Sequence, residues 1–443
     1  RWMMPGKFKL VVSDLHLSAG HEAEGNLLED FGSDQEFAAL LDEVIAESDR
    51  DGAEVELIIN GDAFEMLQVP HEETFDPAAV YPPERYLSSS EADSILKMNI
   101  IIDGHQTFFR ALAGFVQVGP PRRTVTFIKG NHDVNIHWAG VQDRIRQATG
   151  AMGARRPLLT FEERRISREG IYVEHGNQYA EGVDRLDDME EPHDHDKPGQ
   201  LAIPLGSYFV MNVFNKVERE KYWIDGVKPI TALVWYALAY DFRFAAKAIA
   251  TLARALPDIL GQAVFAVDED QAQALASELE DPAQVEELAA RYQEDEAFRA
   301  QFNAQVASVL SPTPGLPGAA AFSLTDTPDP VSMGDQVRER VNSSLYAMAA
   351  RRSFEEGVQL VTFGHTHDAS VEPLPEGGVY INSGTWTWRA DFGSSDKQTW
   401  KDLFAHPERF TDDRVLNYVR IDYDEEGQPS GRLRKYVRIA EGP

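Results

Sequence analysis

The sequence predicts an α/β protein, a layered sandwich of strands and helices interrupted by a large helical insertion. Three observations carry that expectation. First, five short apolar runs rich in β-branched and aromatic residues each end in a polar cluster. Second, amphipathic helical patterns separate the first of these runs, and strands alternating with helices build a sheet covered by helices. Third, a stretch of helical periodicity from about residue 206 to 309 divides the fourth cluster from the fifth.

The runs, in order, are Lys9–Val12 into Ser13-Asp14-Leu15-His16, Val55–Ile59 into Asn60-Gly61-Asp62, and Thr124–Lys129 into Gly130-Asn131-His132-Asp133. Gly170–Glu174 then runs into His175-Gly176-Asn177, and Val358–Phe363 into Gly364-His365-Thr366-His367. Between them, Asp34–Ser48 reads as an amphipathic helix with Ser33 as N-cap and Glu36 three residues on. Ser90–Val118 reads as one long helix and Trp138–Ala148 as a shorter one. In the insertion, helices are expected over Val210–Lys221, Ile230–Leu256, Asp268–Leu279, Pro282–Tyr292 and Glu294–Val309. Ser311–Asp335, rich in Pro, Gly, Ser and Thr, reads as a linker, and Gln336–Arg352 as a helix returning to the core. Gly378–Asn382, Thr385–Ala390, Arg414–Asp422 and Gly431–Arg438 read as antiparallel strands. The expected division is a core of residues 7–179 and 336–443 around an insertion of residues 180–335.

Composition excludes several function classes. The 443 residues carry 42 Lys+Arg against 73 Asp+Glu, a formal net charge of −31. Such a chain repels phosphate backbones, so no nucleic-acid partner is expected. About 28 acidic and about 13 basic residues fall between 180 and 340, so the insertion holds much of the excess. With no Cys, disulfide frameworks, thiolate metal sites and cysteine nucleophiles are out. No apolar leader opens the chain and no run approaches the ~20 apolar residues of a spanning helix, so a cytoplasmic protein without a transmembrane segment is expected.

In open α/β sheets, ligand sites form beyond the carboxyl ends of strands, where all five clusters sit. Together they offer Asp14, His16, Asp62, Asn131, His175, His365 and His367, which are oxygen and imidazole donors only. That set suits Mn, Fe, Zn or Mg. Seven ligands exceed one tetrahedral site but suffice for two metals sharing a bridging carboxylate.

In order and strand context, these motifs resemble the calcineurin-like metallophosphoesterases. The resemblance spans roughly residues 8–175 and 352–438 and leaves out the insertion. It implies a four-layer αββα core and a dinuclear centre of divalent ions, Mn2+ first. Asp14, His16 and His367 would hold one ion, Asn131, His175 and His365 the other, and Asp62 would bridge them. The implied reaction is hydrolysis of a phosphomonoester, phosphodiester or pyrophosphate by attack of a metal-bound hydroxide. His132 would be the general acid and Asp133 its orienting partner. Ser13-Asp14-Leu15-His16-Leu17, Gly61-Asp62-Ala63-Phe64-Glu65 and a helical insertion also resemble the bacterial UDP-2,3-diacylglucosamine pyrophosphatases. That group usually has Arg where His132 stands, and its insertion is shorter. The partner is then a phosphorylated small molecule or a lipid-linked substrate met by peripheral membrane contact. A scaffold on a silent phosphoesterase fold is the competing class, and filled ligand positions argue against it.

Loop position makes His137, Asn177 and Tyr179 candidate substrate contacts. His105 reads as a packed residue, and His193 and His195, in an acidic loop, as solvated surface. Trp235, Tyr236, Tyr240, Phe242 and Phe244 read as helix core, and Ser383-Gly384-Thr385-Trp386 as a turn beside the last motif.

Overall fold

Among the described residues the strands are, in chain order, β1 (Lys7–Val12), β2 (Glu54–Asn60), β3 (Arg123–Ile128), β4 (Leu159–Glu162), β5 (Arg165–Arg168), β6 (Ile171–Glu174), β7 (Val227–Lys228), β8 (Leu360–Phe363), β9 (Ser370–Pro373), β10 (Val379–Asn382), β11 (Ala390–Asp391), β12 (Asn417–Tyr423) and β13 (Pro429–Lys435). The structure is a computed structural model describing residues 6–180, 183–228, 230–260, 269–310, 330–392, 395–411 and 414–437. One mixed sheet has the order β13-β12-β1-β2-β3-β4, a second the order β5-β6-β8-β10-β9, and β11 pairs with β7. The chain is thus mixed α/β, as its alternating pattern predicts. β1, β2, β3 and β4 are mutually parallel, while β12 and β13 extend the first sheet antiparallel.

Period-two alternation sorts the strand side chains into layers. Phe8, Leu10 and Val12 of β1, Val55, Leu57 and Ile59 of β2, and Val125 and Phe127 of β3 join one core with Phe37, Leu40, Phe108 and Leu112 of the covering helices. Val11, Ile58 and Ile128 point the other way and meet Ile171, Val173, Leu360 and Ile381 of the second sheet. That sheet's remaining face, Tyr172, Val361, Phe363 and Tyr380, packs on Leu345 and Ala349 of the helix Pro330–Glu356.

Several expected elements differ. The long helix over Ser90–Val118 is two, Glu91–Gly104 and Gln106–Phe115, broken at His105. His105 is fixed between Glu29 and Asp34, and Asp34 also accepts from the amide of Phe108 at 3.3 Å, serving as the second helix's cap. Ser33 stands at the N-cap of Asp34–Asp51, but its hydroxyl makes no capping bond. Ile230–Leu256 likewise divides into Ile230–Tyr240 and Phe242–Leu260. The expected strand Thr385–Ala390 is mostly irregular, because Thr385 and Trp386 turn back to bond the carbonyl of Asp14. Val379–Asn382 pairs antiparallel with β9 but parallel with β8. β4, β5 and β9 were not expected at all. Of the expected linker 311–335, residues 311–329 lie outside the described residues, and the remainder begins the helix Pro330–Glu356.

The inserted helices build their own core, in which Trp235, Phe242 and Phe244 are buried, with Tyr236 and Tyr240 against them. Trp388, Phe392, Trp400 and Leu403 from the C-terminal part enter that same core. The insertion is therefore seated on residues downstream of the last motif rather than standing free. No helix among the described residues is long and apolar enough to cross a membrane.

Candidate metal centre

All seven expected ligands converge. Asp14 and His16 follow β1, Asp62 follows β2, Asn131 follows β3, His175 follows β6, and His365 and His367 follow β8. Parallel pairing aligns these carboxyl ends along one edge of both sheets. Asp14, His16 and His367 place one ligand atom each within 4.8 Å of one another, and so do Asp62, His175 and His365. These buried clusters could hold metal ions.

Three features show that the residues fit that use. The first is donor polarity. His175 Nδ1 donates to the carbonyl of Asn60 at 2.9 Å, and His16 Nδ1 to Glu65 at 2.7 Å, so each Nε2 keeps a lone pair facing inward. His16 Nε2 lies 3.1 Å from His367 Nε2, two ring nitrogens aimed at one point. The second is unmet demand. Asn131 Oδ1 and His175 Nε2 are buried without a hydrogen-bond partner, although buried polar atoms are nearly always paired. His175 Nε2 is 3.0 Å from Asp62 Oδ2, but misaligned, so no hydrogen bond joins them. The third is backbone strain. Of the eight non-glycine residues with positive φ among those described, five are candidate ligands: Asp14 at 52°, His16 at 53°, Asp62 at 49°, His365 at 70° and His367 at 60°. Such conformations cost of order 1–3 kcal/mol each and gather at functional sites.

Two glycines permit the crowding. Gly130 passes so close to Asp62 that a Cβ there would fall on its carboxylate, and a Cβ at Gly61 would fall on the His175 ring.

Electrostatics follow from burial and pairing. Burial opposes ionisation of Asp62, but His175 and His132 outweigh it and hold the carboxyl well below its usual range. Burial likewise opposes charge on Glu65, yet His132 and His16 bring it down to about 2. Against the same burial penalty, Glu65 and Asp62 push His132 up to about 10. The contact with Glu65 thus favours the protonated ring of His132.

Its partner corrects the expectation for Asp133. His132 Nδ1 lies 2.6 Å from Glu65 Oε2, and Asp133 does not touch the ring. Asp133 instead accepts the amides of Gly130 at 2.7 Å, Ala63 at 2.8 Å and Phe64 at 3.3 Å, tying the second and third motifs together. Glu65 is the positioning carboxylate for both His16 and His132. Its signal in the sequence was only its place three residues after Asp62. A second missed carboxylate is Asp184, 3.4 Å from His365 Nε2.

The three expected substrate contacts do not line the pocket. Asn177 is buried and donates to the carbonyl of Asp184, and Tyr179 hydroxyl bonds Glu174. His137 lies outside, beside Glu163 at 3.2 Å. The pocket, about 210 Å3, is lined beside the candidate ligands by Asp30 and Gln68 of the core and by Val210, Phe214, Glu218, Asp225 and Lys228 of the insertion. Burial first, then mutual repulsion with Asp225, raises Asp30 and Glu218 well above the ordinary carboxyl range. His105 is structural, closed between Glu29 and Asp34. Compared with known proteins, the chain matches no protein-family model and no curated protein.

Proposed function

We propose that this chain is a metal-dependent phosphoesterase of the calcineurin-like type, with a four-layer αββα core. It hydrolyses a phosphomonoester, phosphodiester or pyrophosphate bond at a dinuclear centre. The observation that carries the reading is the convergence of seven oxygen and imidazole donors, Asp62 among them, five on strained backbone and two of their donor atoms orphaned. Asp14, His16 and His367 would hold one ion and Asn131, His175 and His365 the other, with Asp62 between. Two divalent ions, Mn2+ first, supply an acidified water and neutralise phosphoryl charge when bound. The chain's own part is positional and acid–base. Glu65 holds His132 by Nδ1, so the Nε2 proton faces the pocket and can pass to the leaving oxygen. Asp30 and Glu218, held toward their protonated forms, offer the pocket hydroxyl donors rather than a second pair of charges.

A second reading within this chemistry, a lipid-linked pyrophosphatase, has one specific observation in its favour. An apolar cavity of about 90 Å3, lined by Phe209, Val213, Val217 and Leu233, adjoins the pocket, because Phe214 lines both.

The test is turnover of nitrophenyl phosphate monoesters and diesters, nucleotides and UDP-linked lipids with added Mn2+. Hydrolysis is expected for at least one class, and Asp62→Asn should lower it by at least about 1,000-fold while the protein stays folded. Full activity in that variant, or no hydrolysis and no bound metal in the wild type, overturns the reading. Preference for the lipid substrate selects the second form.

A further inference from the structure

Among the described residues, one more group of donors comes to a point outside the pocket: His137, Glu191 and His193, each placing a ligand atom within 4.8 Å of the others. His137 ends the short turn Val134–His137 directly after Asp133, whereas Glu191 and His193 belong to the acidic loop 183–204. Glu191 Oε2 lies 3.9 Å from His137 Nε2 and 3.5 Å from His193 Nε2. The two rings stand at 85° with centroids 5.1 Å apart, so they are not stacked on each other.

The loop is held in that geometry by other contacts. Leu186, Met189 and Leu201 pack on Val134 and Trp138. Ser89 donates its amide to Gln200 at 2.7 Å and accepts the amide of Leu201 at 2.9 Å. His193 bridges to Leu201 across a small hairpin. Independently, the far side of His137 is prepared. Glu163 Oε2 lies 3.2 Å from Nδ1, and the Lys129 ammonium, paired with Glu163, lies 3.3 Å from the same nitrogen. In the tautomer with hydrogen on Nδ1, Glu163 accepts it and the Nε2 lone pair faces Glu191. A carboxylate behind an imidazole is the usual orienting partner of a histidine ligand.

We propose that His137, Glu191 and His193 bind a divalent transition ion of the zinc class, separate from the dinuclear centre. Two imidazoles and a carboxylate match zinc, with water in the fourth position. Glu191 is 71% exposed, which leaves that position open to solvent. The ion clamps loop 183–204 to the segment following the third motif. The loop also carries Asp184, the neighbour of His365, so the clamp fixes part of the pocket wall from outside.

The experiment is zinc stoichiometry and Co2+ absorption on the full chain. Four forms are compared: wild type, His193→Gln, Asp62→Asn/His175→Ala, and all three changes together. His193 is half exposed, so its substitution leaves the fold intact. The expected result is loss of one zinc equivalent, and of one set of tetrahedral Co2+ bands, in His193→Gln. In the pocket double variant, which keeps Asp14, His16 and His367, adding His193→Gln removes one equivalent in the same way. Zinc should also slow proteolysis of loop 183–204 in wild type and not in His193→Gln. Equal stoichiometry and equal Co2+ spectra with and without His193 overturn the proposal. Because the difference is also read with Asp62 and His175 of the pocket substituted, it stands apart from the fate of the dinuclear centre.

Discussion

Glu65 and Asp133 flank His132 and do different work, and two variants separate them. Glu65→Gln keeps the shape but removes the charge that holds His132 near 10, so the imidazolium loses its proton at lower pH. Activity should fall about 10–100-fold, as for other partners behind a ligand or acid. The alkaline limb of the pH–rate profile should also move toward acid. Asp133→Asn replaces one of the two oxygens that between them accept three backbone amides with a donor, at a stability cost of about 1–3 kcal/mol. Its profile should keep the wild-type shape in the remaining folded protein. An unmoved limb in Glu65→Gln, or a moved one in Asp133→Asn, would restore the role the family resemblance implied. At this scale, residue types at strand ends were legible because ligand chemistry needs them. The partner of His132 was not, since Asp133 adjoins it in the sequence whereas Glu65 lies 67 residues away.

At the scale of elements, the break between Glu91–Gly104 and Gln106–Phe115 has a titratable group at its centre. Burial opposes charge on His105, but Glu29 and Asp34 raise it to about 10, above the ordinary 6.5. The sign follows from linkage. The contribution is complete below about pH 6.5 and is lost as pH rises through about 10. Urea unfolding from pH 6 to 10 should show stability falling across that window. His105→Gln should cost about 3–5 kcal/mol at pH 6 and much less at pH 10. A constant cost across the range would mean that His105 acts by shape alone. Helical periodicity runs straight through His105, so the break was hidden. It depends on Glu29 and Asp34, which sit in another part of the chain. β4, β5 and β9 were missed for a related reason, because four-residue strands on sheet margins carry too few residues for a period to show.

Over the whole molecule, a net charge of −31 is spread across insertion and core. Self-repulsion of that size destabilises the compact state, and the screening length falls to about 3 Å at 1 M salt. Thermal melts in 0.05 and 1 M NaCl should show Tm rising by several degrees. A falling Tm would mean that surface ion pairs such as Arg254–Glu280 and Arg243–Glu286 outweigh the repulsion.

The sequence by itself determined the α/β class, the strand ends and the donor set, because strand periodicity, turn glycines and ligand chemistry are local properties of residue order. The tertiary structure decided which partners those residues take. It gave His132 to Glu65 rather than Asp133, and drew Asn177 and Tyr179 into the scaffold. It also seated the inserted helices on Trp388, Phe392 and Trp400. Each of those outcomes is a contact between distant stretches of chain, set by packing and burial, which no local pattern records.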